Sequence, residues 1–207
     1  MEVDSQSLRR KIAREAANLL YSGVEKEFKQ AKLKAARTLN GSFLPTNLEV
    51  ALEVDIIAEE KEGPARKERL VRMRKEALET MKALREYRPL LVGSVWRGTI
   101  HYDSDIDVVA YHDEPEDVLR ILKQGTIKIR QAEWVAVTKK GKRRGSFHIY
   151  GESPDKEKVE IKINSLDEAG KTERCETYGD EIRGLNIYEL ERLLKENPTR
   201  RFVPGDR

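Results

Sequence analysis

The stretch from Leu90 to Val109, LLVGSVWRGTIHYDSDIDVV, decides which fold this chain can adopt. Its first part is an apolar strand, Leu90 to Val92, that runs directly into Gly93-Ser94 and a short predicted helix. This arrangement is typical of a phosphate site, because glycine lets an anion approach the backbone while helical N–H groups and the serine hydroxyl donate to it. Taken alone, Gly93-Ser94 is equally well explained as a plain turn between a strand and a helix.

Two carboxylates follow at the start of the next predicted strand, Ile106 to Tyr111. Because side chains of a strand alternate between its faces, Asp105 and Asp107 project to the same side, about 7 Å apart. Carboxylates this close repel each other unless a cation lies between them, and Mg²⁺ or Mn²⁺ binds one or two carboxylates together with substrate phosphates. A phosphate site beside such a metal site suits nucleotidyl transfer, whereas a solvated strand face is the alternative interpretation.

The combined spacing resembles the signature of the DNA polymerase beta-like nucleotidyltransferase superfamily, and most of all that of its small prokaryotic and archaeal members. The residues that carry the resemblance are Gly93-Ser94-x-x-Arg97-Gly98-Thr99 followed by Ser104-Asp105-Ile106-Asp107. The resemblance implies that Gly93 and Ser94 bind a triphosphate and that Asp105 and Asp107 bind divalent ions. It also implies a third carboxylate on a later strand.

Glu160 is the predicted third carboxylate, because it lies between apolar residues on the last predicted strand of the core. Its expected role is to bind the catalytic metal or to accept the proton of the attacking hydroxyl. Glu133 is the alternative candidate. Some members of the family that the chain resembles have the acidic residue two places further along, where this chain has Lys162, so an incomplete site is a further alternative. Lys162 shares a face with Glu160 and is predicted to contact phosphate.

Several other residues have two interpretations each. Arg97 lies about one helical turn beyond Ser94, so it is predicted to contact phosphate, with a surface ion pair as the alternative. Ser104 is predicted to contact the nucleotide, although Asp-Ser is also common in turns. His148 is interpreted as a surface or packing residue. Trp134 is interpreted as a core residue, with a platform for base stacking as the alternative.

The chain is predicted to have two parts. Residues 1–88 form a helical N-terminal domain, because their apolar residues recur every three or four positions. Residues 89–207 form a nucleotidyltransferase core with a mixed sheet and a C-terminal helix, since short strands follow one another there. The expected fold class is therefore α+β.

Local signals predict where the N-terminal helices begin. Ser22 with Glu25, and Thr46 with Glu49, have the spacing of a capping box, in which a hydroxyl and a carboxylate satisfy backbone N–H groups. Residues 50–56 follow the second of these pairs and are predicted to be helical. They also alternate with period two, so a strand is the alternative.

A basic turn is the best candidate for binding nucleic acid. Clustered positive charge binds a phosphate backbone by releasing counterions, without reading sequence. An RNA end is therefore the favoured hydroxyl acceptor, with ATP as the expected nucleotide. The alternatives are a partner protein, as in related antitoxin transferases that adenylylate a toxin, and a module that binds nucleotide or RNA without catalysis. The residues of the turn are Lys139, Lys140, Lys142, Arg143 and Arg144.

Composition excludes several classes of protein. No apolar run approaches the ~20 residues of a membrane span, and no signal-like segment is present, which predicts a cytoplasmic protein without membrane partners. A single cysteine excludes a disulfide framework and a cysteine-based zinc cluster. The 40 basic and 37 acidic residues nearly balance, and such dense mixed charge fits a thermophile.

Overall fold

The computed structural model describes residues 2–139 and 142–205. The helices in these residues are α1 (Glu2–Tyr21), α2 (Phe28–Thr38), α3 (Asn47–Glu62), α4 (Pro64–Ala83), α5 (Gly93–Arg97), α6 (Pro115–Gln124) and α7 (Ile187–Glu196). The strands are β1 (Leu90–Val92), β2 (Ile106–Tyr111), β3 (Lys128–Lys139), β4 (Lys142–Glu152) and β5 (Lys158–Asn164). The predicted α+β class, with a mixed-sheet core and a helical N-terminal part, is confirmed.

The first compact unit comprises Met1–Arg66 and Arg174–Glu181 and contains α1, α2 and α3. Its core consists largely of alanines with a few larger apolar side chains such as Ile12 and Ile57, both fully buried. Because alanine adds little volume beyond the backbone, helices packed through it approach closely. Asp55, on α3, is also buried here and forms an ion pair with Arg66.

The start of α3 follows the prediction, whereas that of α2 does not. Thr46 and Glu49 form the predicted capping box, with the Glu49 N–H donating to the Thr46 hydroxyl at 3.2 Å. Residues 50–56 are helical, so the strand alternative is wrong. The helix predicted after Ser22 begins only at Phe28, because the Ser22 hydroxyl donates backward to the Asn18 carbonyl at 2.7 Å and therefore does not cap α2.

The second compact unit comprises Lys67–Glu173 and Ile182–Arg207. Its five-stranded sheet has the order β1-β2-β5-β4-β3, in which β2 and β5 are parallel and all other neighbours are antiparallel. We call the face that carries Ile106, Val108 and Ile161 the covered face, because these side chains are 1% exposed or less. The opposite face, which carries Asp107 and Glu160, is called the open face.

Helices α4, α6 and α7 bury their apolar side chains in one core with the covered face. Met73, Met81 and Leu84 of α4 belong to this core and are fully buried. The division between the compact units falls within α4, after Arg66, whereas the sequence places a domain boundary near residue 88. The domain organisation itself stays a prediction. Among the described residues, no helix is long and apolar enough to span a membrane.

Candidate active site

The strand register brings the predicted acidic residues together on the open face. Asp107 on β2 is the Cα partner of Glu160 on β5, and on its other side it is the partner of Val92. Asp105 lies two residues before Asp107, just ahead of the strand. Three carboxylates thus meet where β2 and β5 begin and where β1 ends.

Burial and the neighbouring carboxylates raise the pKa values of Asp105 and Asp107. Burial, followed by the negative charges of Glu160 and Asp105, raises the pKa of Asp107 to about 7. Burial also raises the pKa of Asp105, and the Lys158 ammonium partly opposes that rise. A cation bound at the two aspartates would stabilise their ionised form, which burial and mutual repulsion disfavour.

Gly93 is required by its contact with Asp107. Its φ is +68°, a conformation that favours glycine, and a Cβ at this position would lie 1.9 Å from the Asp107 Oδ2 atom. The carboxylate therefore packs against the backbone at the start of α5. Ser94 is the next residue and lies in the first turn of that helix. The predicted pair is thus adjacent to the acidic cluster in the fold.

Glu160 is held by a residue whose role the sequence did not indicate. The His148 Nδ1 atom lies 2.6 Å from Glu160 Oε1, and its Nε2 atom lies 2.7 Å from the Ser146 hydroxyl. His148 is partly buried on β4 and does not simply face solvent. The signal available in the sequence was the period-two alternation that places Ser146, His148 and Tyr150 on one face.

The register also separates the two candidates for the third carboxylate. Glu160 lies on the strand next to Asp107, whereas Glu133 is the partner of His148 on β3. In the observed strand order β3 is three strands from β2, which corresponds to about 14 Å. The arrangement favours Glu160.

The side chain of Arg97 lies elsewhere than predicted. It is 4% exposed, and its guanidinium donates to the Phe202 carbonyl at 3.0 Å and lies 4.5 Å from the Trp96 ring. One helical turn after Ser94 the side chain has turned into the protein and anchors the C-terminal segment. These contacts describe the buried guanidinium, and a phosphate contact of Arg97 stays a prediction.

Ser104 has a structural role in the loop before β2. Its hydroxyl accepts from the His101 N–H at 2.9 Å, and its own N–H donates to the His101 carbonyl at 2.9 Å. At 6% exposed it closes the turn that delivers Asp105. The turn interpretation therefore describes these contacts, and a nucleotide contact of Ser104 stays a prediction.

Arg69 on α4 is a second residue that sequence reasoning missed. Its guanidinium donates to the carbonyls of His101 at 2.8 Å and Ser104 at 3.2 Å, and it pairs with Glu157 at 2.6 Å. His101 and Ser104 precede the aspartates, whereas Glu157 immediately precedes β5. A single side chain thus joins the loop before β2 to the start of the strand that carries Glu160.

The remaining predicted residues lie next to the carboxylates, elsewhere on the sheet, or outside the description. Lys162 is two residues beyond Glu160 on the same face of β5. Trp134 was expected in the core but is 62% exposed. The predicted basic turn lies outside the description: Lys140 is not among the described residues, nor are the side chains of Lys139, Lys142, Arg143 and Arg144.

The carboxylates of the cluster fit a divalent ion whose remaining ligands come from a phosphorylated substrate. Among the described residues, no three histidine, cysteine, aspartate or glutamate side chains are arranged to hold a metal by themselves. This agrees with the bonding of Glu160 to His148. Asp105 and Asp107 would provide the one or two carboxylates with which Mg²⁺ usually binds phosphorylated substrates.

Comparison with known families identifies the region that contains this cluster. The model of the nucleotidyltransferase domain family, part of the DNA polymerase beta-like superfamily, matches residues 74–196. The match covers more than half of the chain and includes Asp105, Asp107 and Glu160. The chain belongs to this nucleotidyltransferase family. This membership supports a general function in the transfer of nucleoside monophosphates. Proteins of the superfamily typically use divalent metals, and the family also includes non-catalytic members. A search of curated proteins gives no match.

Proposed function

We propose that this nucleotidyltransferase moves a nucleoside monophosphate from an NTP to a hydroxyl acceptor and releases pyrophosphate. The observation that carries the proposal is the register that places Asp105, Asp107 and Glu160 together beside Gly93. A strand face with three carboxylates, two with raised pKa values, has no structural advantage by itself. Clusters of this kind occur where charge is needed for chemistry.

Each residue of the cluster has a role in this reaction. Gly93 and Ser94 would bind the triphosphate, and Asp105 and Asp107 would hold Mg²⁺ or Mn²⁺. The divalent ion supplies neutralisation of the charge that develops on the phosphates. Glu160 would accept the proton of the acceptor hydroxyl, and since its Oε1 atom is bonded to His148, Oε2 is the atom for that step. Lys162 would add positive charge near the phosphates.

The acceptor that we propose is the end of an RNA molecule, with ATP as the nucleotide and the cytoplasm as the location. The support is the basic sequence from Lys139 to Arg144, whose charges suit a phosphate backbone. A hydroxyl of a partner protein is the second candidate. It is favoured by the similarity of Gly93-Ser94-x-x-Arg97 to antitoxin transferases, although Arg97 is engaged with Phe202.

Transfer of label tests the proposal directly. The protein is incubated with each α-labelled NTP, with Mg²⁺ or Mn²⁺, and with RNA or with lysate protein. We expect label on RNA, and we expect Asp105→Asn and Asp107→Asn to abolish the transfer without unfolding the chain. Asp103→Asn is the matched control, because Asp103 is exposed and paired with Lys158, and it should retain activity.

The outcomes separate the candidates. Label on a polypeptide would replace RNA by a protein acceptor. Binding of NTP without transfer to any acceptor would indicate the non-catalytic module. Activity of Asp107→Asn equal to that of the unmodified chain would refute the proposed role of the carboxylates.

A further inference from the structure

A cavity of about 280 Å³ lies on the open face of the sheet. Its lining includes the apolar side chains of Val92 and Val109, together with Tyr111, Lys162 and Asn164. Its volume is close to the lower end of the about 300–1,000 Å³ that is typical of small-molecule sites. The cavity therefore has room for one small ring system with its substituent.

The cavity lies next to the acidic cluster on three strands. Val92 is the Cα partner of Asp107 on β1, and Lys162 lies two residues beyond Glu160 on β5. Along β2, Val109 and Tyr111 follow Asp107 on the same face at about 7 Å and about 13 Å. If a phosphate binds at the aspartates, a single sugar is therefore long enough to reach from it to the cavity.

The polar groups of the cavity suit a nucleobase. Tyr111 offers an aromatic ring, and bases stack on such rings regardless of their identity. Asn164, the Cα partner of Tyr111, offers an amide that both donates and accepts. Burial, followed by the charges of Glu173 and Glu168, raises the pKa of Tyr111, so its hydroxyl remains a donor.

Two carboxylates on the rim narrow the choice of base. Glu168 and Glu173 both line the cavity, and Glu168 also pairs with Lys171 at 2.8 Å. Ionised carboxylates only accept hydrogen bonds. Because Lys171, which also lines the cavity, pairs with Glu168, Glu173 is the acceptor that favours a base with an exocyclic amino group, which adenine, cytosine and guanine have and uracil lacks.

We infer that this cavity binds the base of the donor NTP, with Tyr111 stacking on the base and Asn164 and the rim carboxylates selecting an amino-bearing base. The inference rests on the proposed function, because it assigns the phosphates of the same nucleotide to Gly93 and Ser94. It adds a site for the base, away from the reacting atoms, that sets which nucleotide is used.

Equilibrium binding in Mg²⁺ without acceptor tests the inference. The probes are ATP, CTP, GTP, UTP and inorganic triphosphate, which has the phosphates but no base. We expect ATP to bind at least about tenfold more tightly than triphosphate. Among the nucleotides, UTP should bind most weakly. Tyr111→Ala should remove most of the preference for ATP and leave the affinity for triphosphate unchanged.

Two further variants and one control complete the design. Tyr111→Phe keeps the ring and should keep most of the preference for ATP over triphosphate. Asn164→Leu keeps a similar volume without hydrogen-bonding groups and should reduce discrimination among the four nucleotides. This variant tests the inference independently if Tyr111→Ala does not fold. Tyr188→Ala, at a tyrosine that is 82% exposed on α7, should change neither affinity.

Failure of this inference and failure of the proposed function give different results. Equal affinity of the unmodified chain for ATP and triphosphate overturns the base site and leaves transfer intact. An increase in the KM for the acceptor alone in Tyr111→Ala, with an unchanged Kd for ATP, overturns it as well. A preference for ATP that depends on Tyr111, without transfer to any acceptor, supports the base site and refutes the proposed reaction.

Discussion

The two faces of the sheet have opposite requirements although the same strands form both. On β5, Ile161 and Ile163 of the covered face are at most 2% exposed, whereas Glu160 and Lys162 alternate with them on the open face. The covered face contributes stability by removing apolar surface from water. The open face holds carboxylates close together, which lowers stability. A fold can keep a strained acidic cluster when the opposite side of the same strands supplies the stability.

The largest effect on stability is expected from the covered face. Ile161→Ala leaves a cavity in the core and should lower the free energy of unfolding by about 2–5 kcal/mol. Urea denaturation measures this change. Lys162→Ala, the neighbouring residue on the open face, is the control and should change the free energy by about 0.5 kcal/mol or less. Equal losses in the two variants would contradict the division between the faces.

The next largest effect has the opposite sign and comes from Asp107. Its pKa is raised from the ordinary value of 3.8 to about 7, so the folded state binds this proton more tightly than the unfolded state does. In EDTA, stability should therefore fall as the pH rises from about 4 to about 7 and remain low above that. Asp107→Asn should remove this dependence and stabilise the protein at pH 8 by about 2–4 kcal/mol.

Thermal unfolding across this pH range checks the expectation for Asp107. Asp103→Asn is the control, since Asp103 is exposed and should leave the pH dependence in place. Addition of Mg²⁺ at pH 8 should raise the Tm of the unmodified chain and not that of Asp107→Asn. A destabilised Asp107→Asn at pH 8 would contradict the assignment.

A smaller effect is expected at Gly93. Gly93→Ala forces a side chain into a left-handed conformation and against Asp107, which should cost about 1–3 kcal/mol and displace the carboxylate. Gly63→Ala is the matched control, because Gly63 has a φ of +58° with nothing within 4 Å of an added Cβ. Both variants should lose stability, but only Gly93→Ala should lose nucleotide transfer. Loss of transfer in both would show that strain alone accounts for it.

The smallest effect is expected from Arg69, which joins the ends of two strands without contacting substrate. Arg69→Met should lower transfer and Mg²⁺ affinity about tenfold, as loss of a supporting contact usually does. Arg72 also pairs with Glu157 but is about half exposed, and Arg72→Met should change neither by more than about twofold. Equal losses would mean that only the ion pair with Glu157 matters.

Local signals accounted for much of the fold and for the center of the candidate site. The strand, glycine, serine and two aspartates between Leu90 and Asp107 were recognisable because each depends on neighbours within a few residues. The capping box of Thr46 and Glu49 was predictable for the same reason. The pair Ser22 and Glu25 had the same spacing and failed, since the spacing does not determine where a helix begins.

The remaining features depend on contacts between distant parts of the chain. Whether Glu160 or Glu133 lies beside Asp107 depends on the strand order, which pairs β2 with β5. The contact of Arg97 with Phe202 and the contacts of Arg69 with the loop before β2 join residues more than 30 positions apart. None of these pairings follows from periodicity or local spacing.

The sequence by itself determined the α+β class, the alternation that makes one face of each strand apolar, and the short segment in which Gly93 and Ser94 precede the two aspartates. Only the tertiary structure decided which third carboxylate lies beside Asp107, that His148 holds it, and that a cavity lined by Val109 and Tyr111 lies further along β2. The physical reason is that alternation and capping act over a few residues. Register, burial and the resulting pKa values arise only when strands from distant segments are paired.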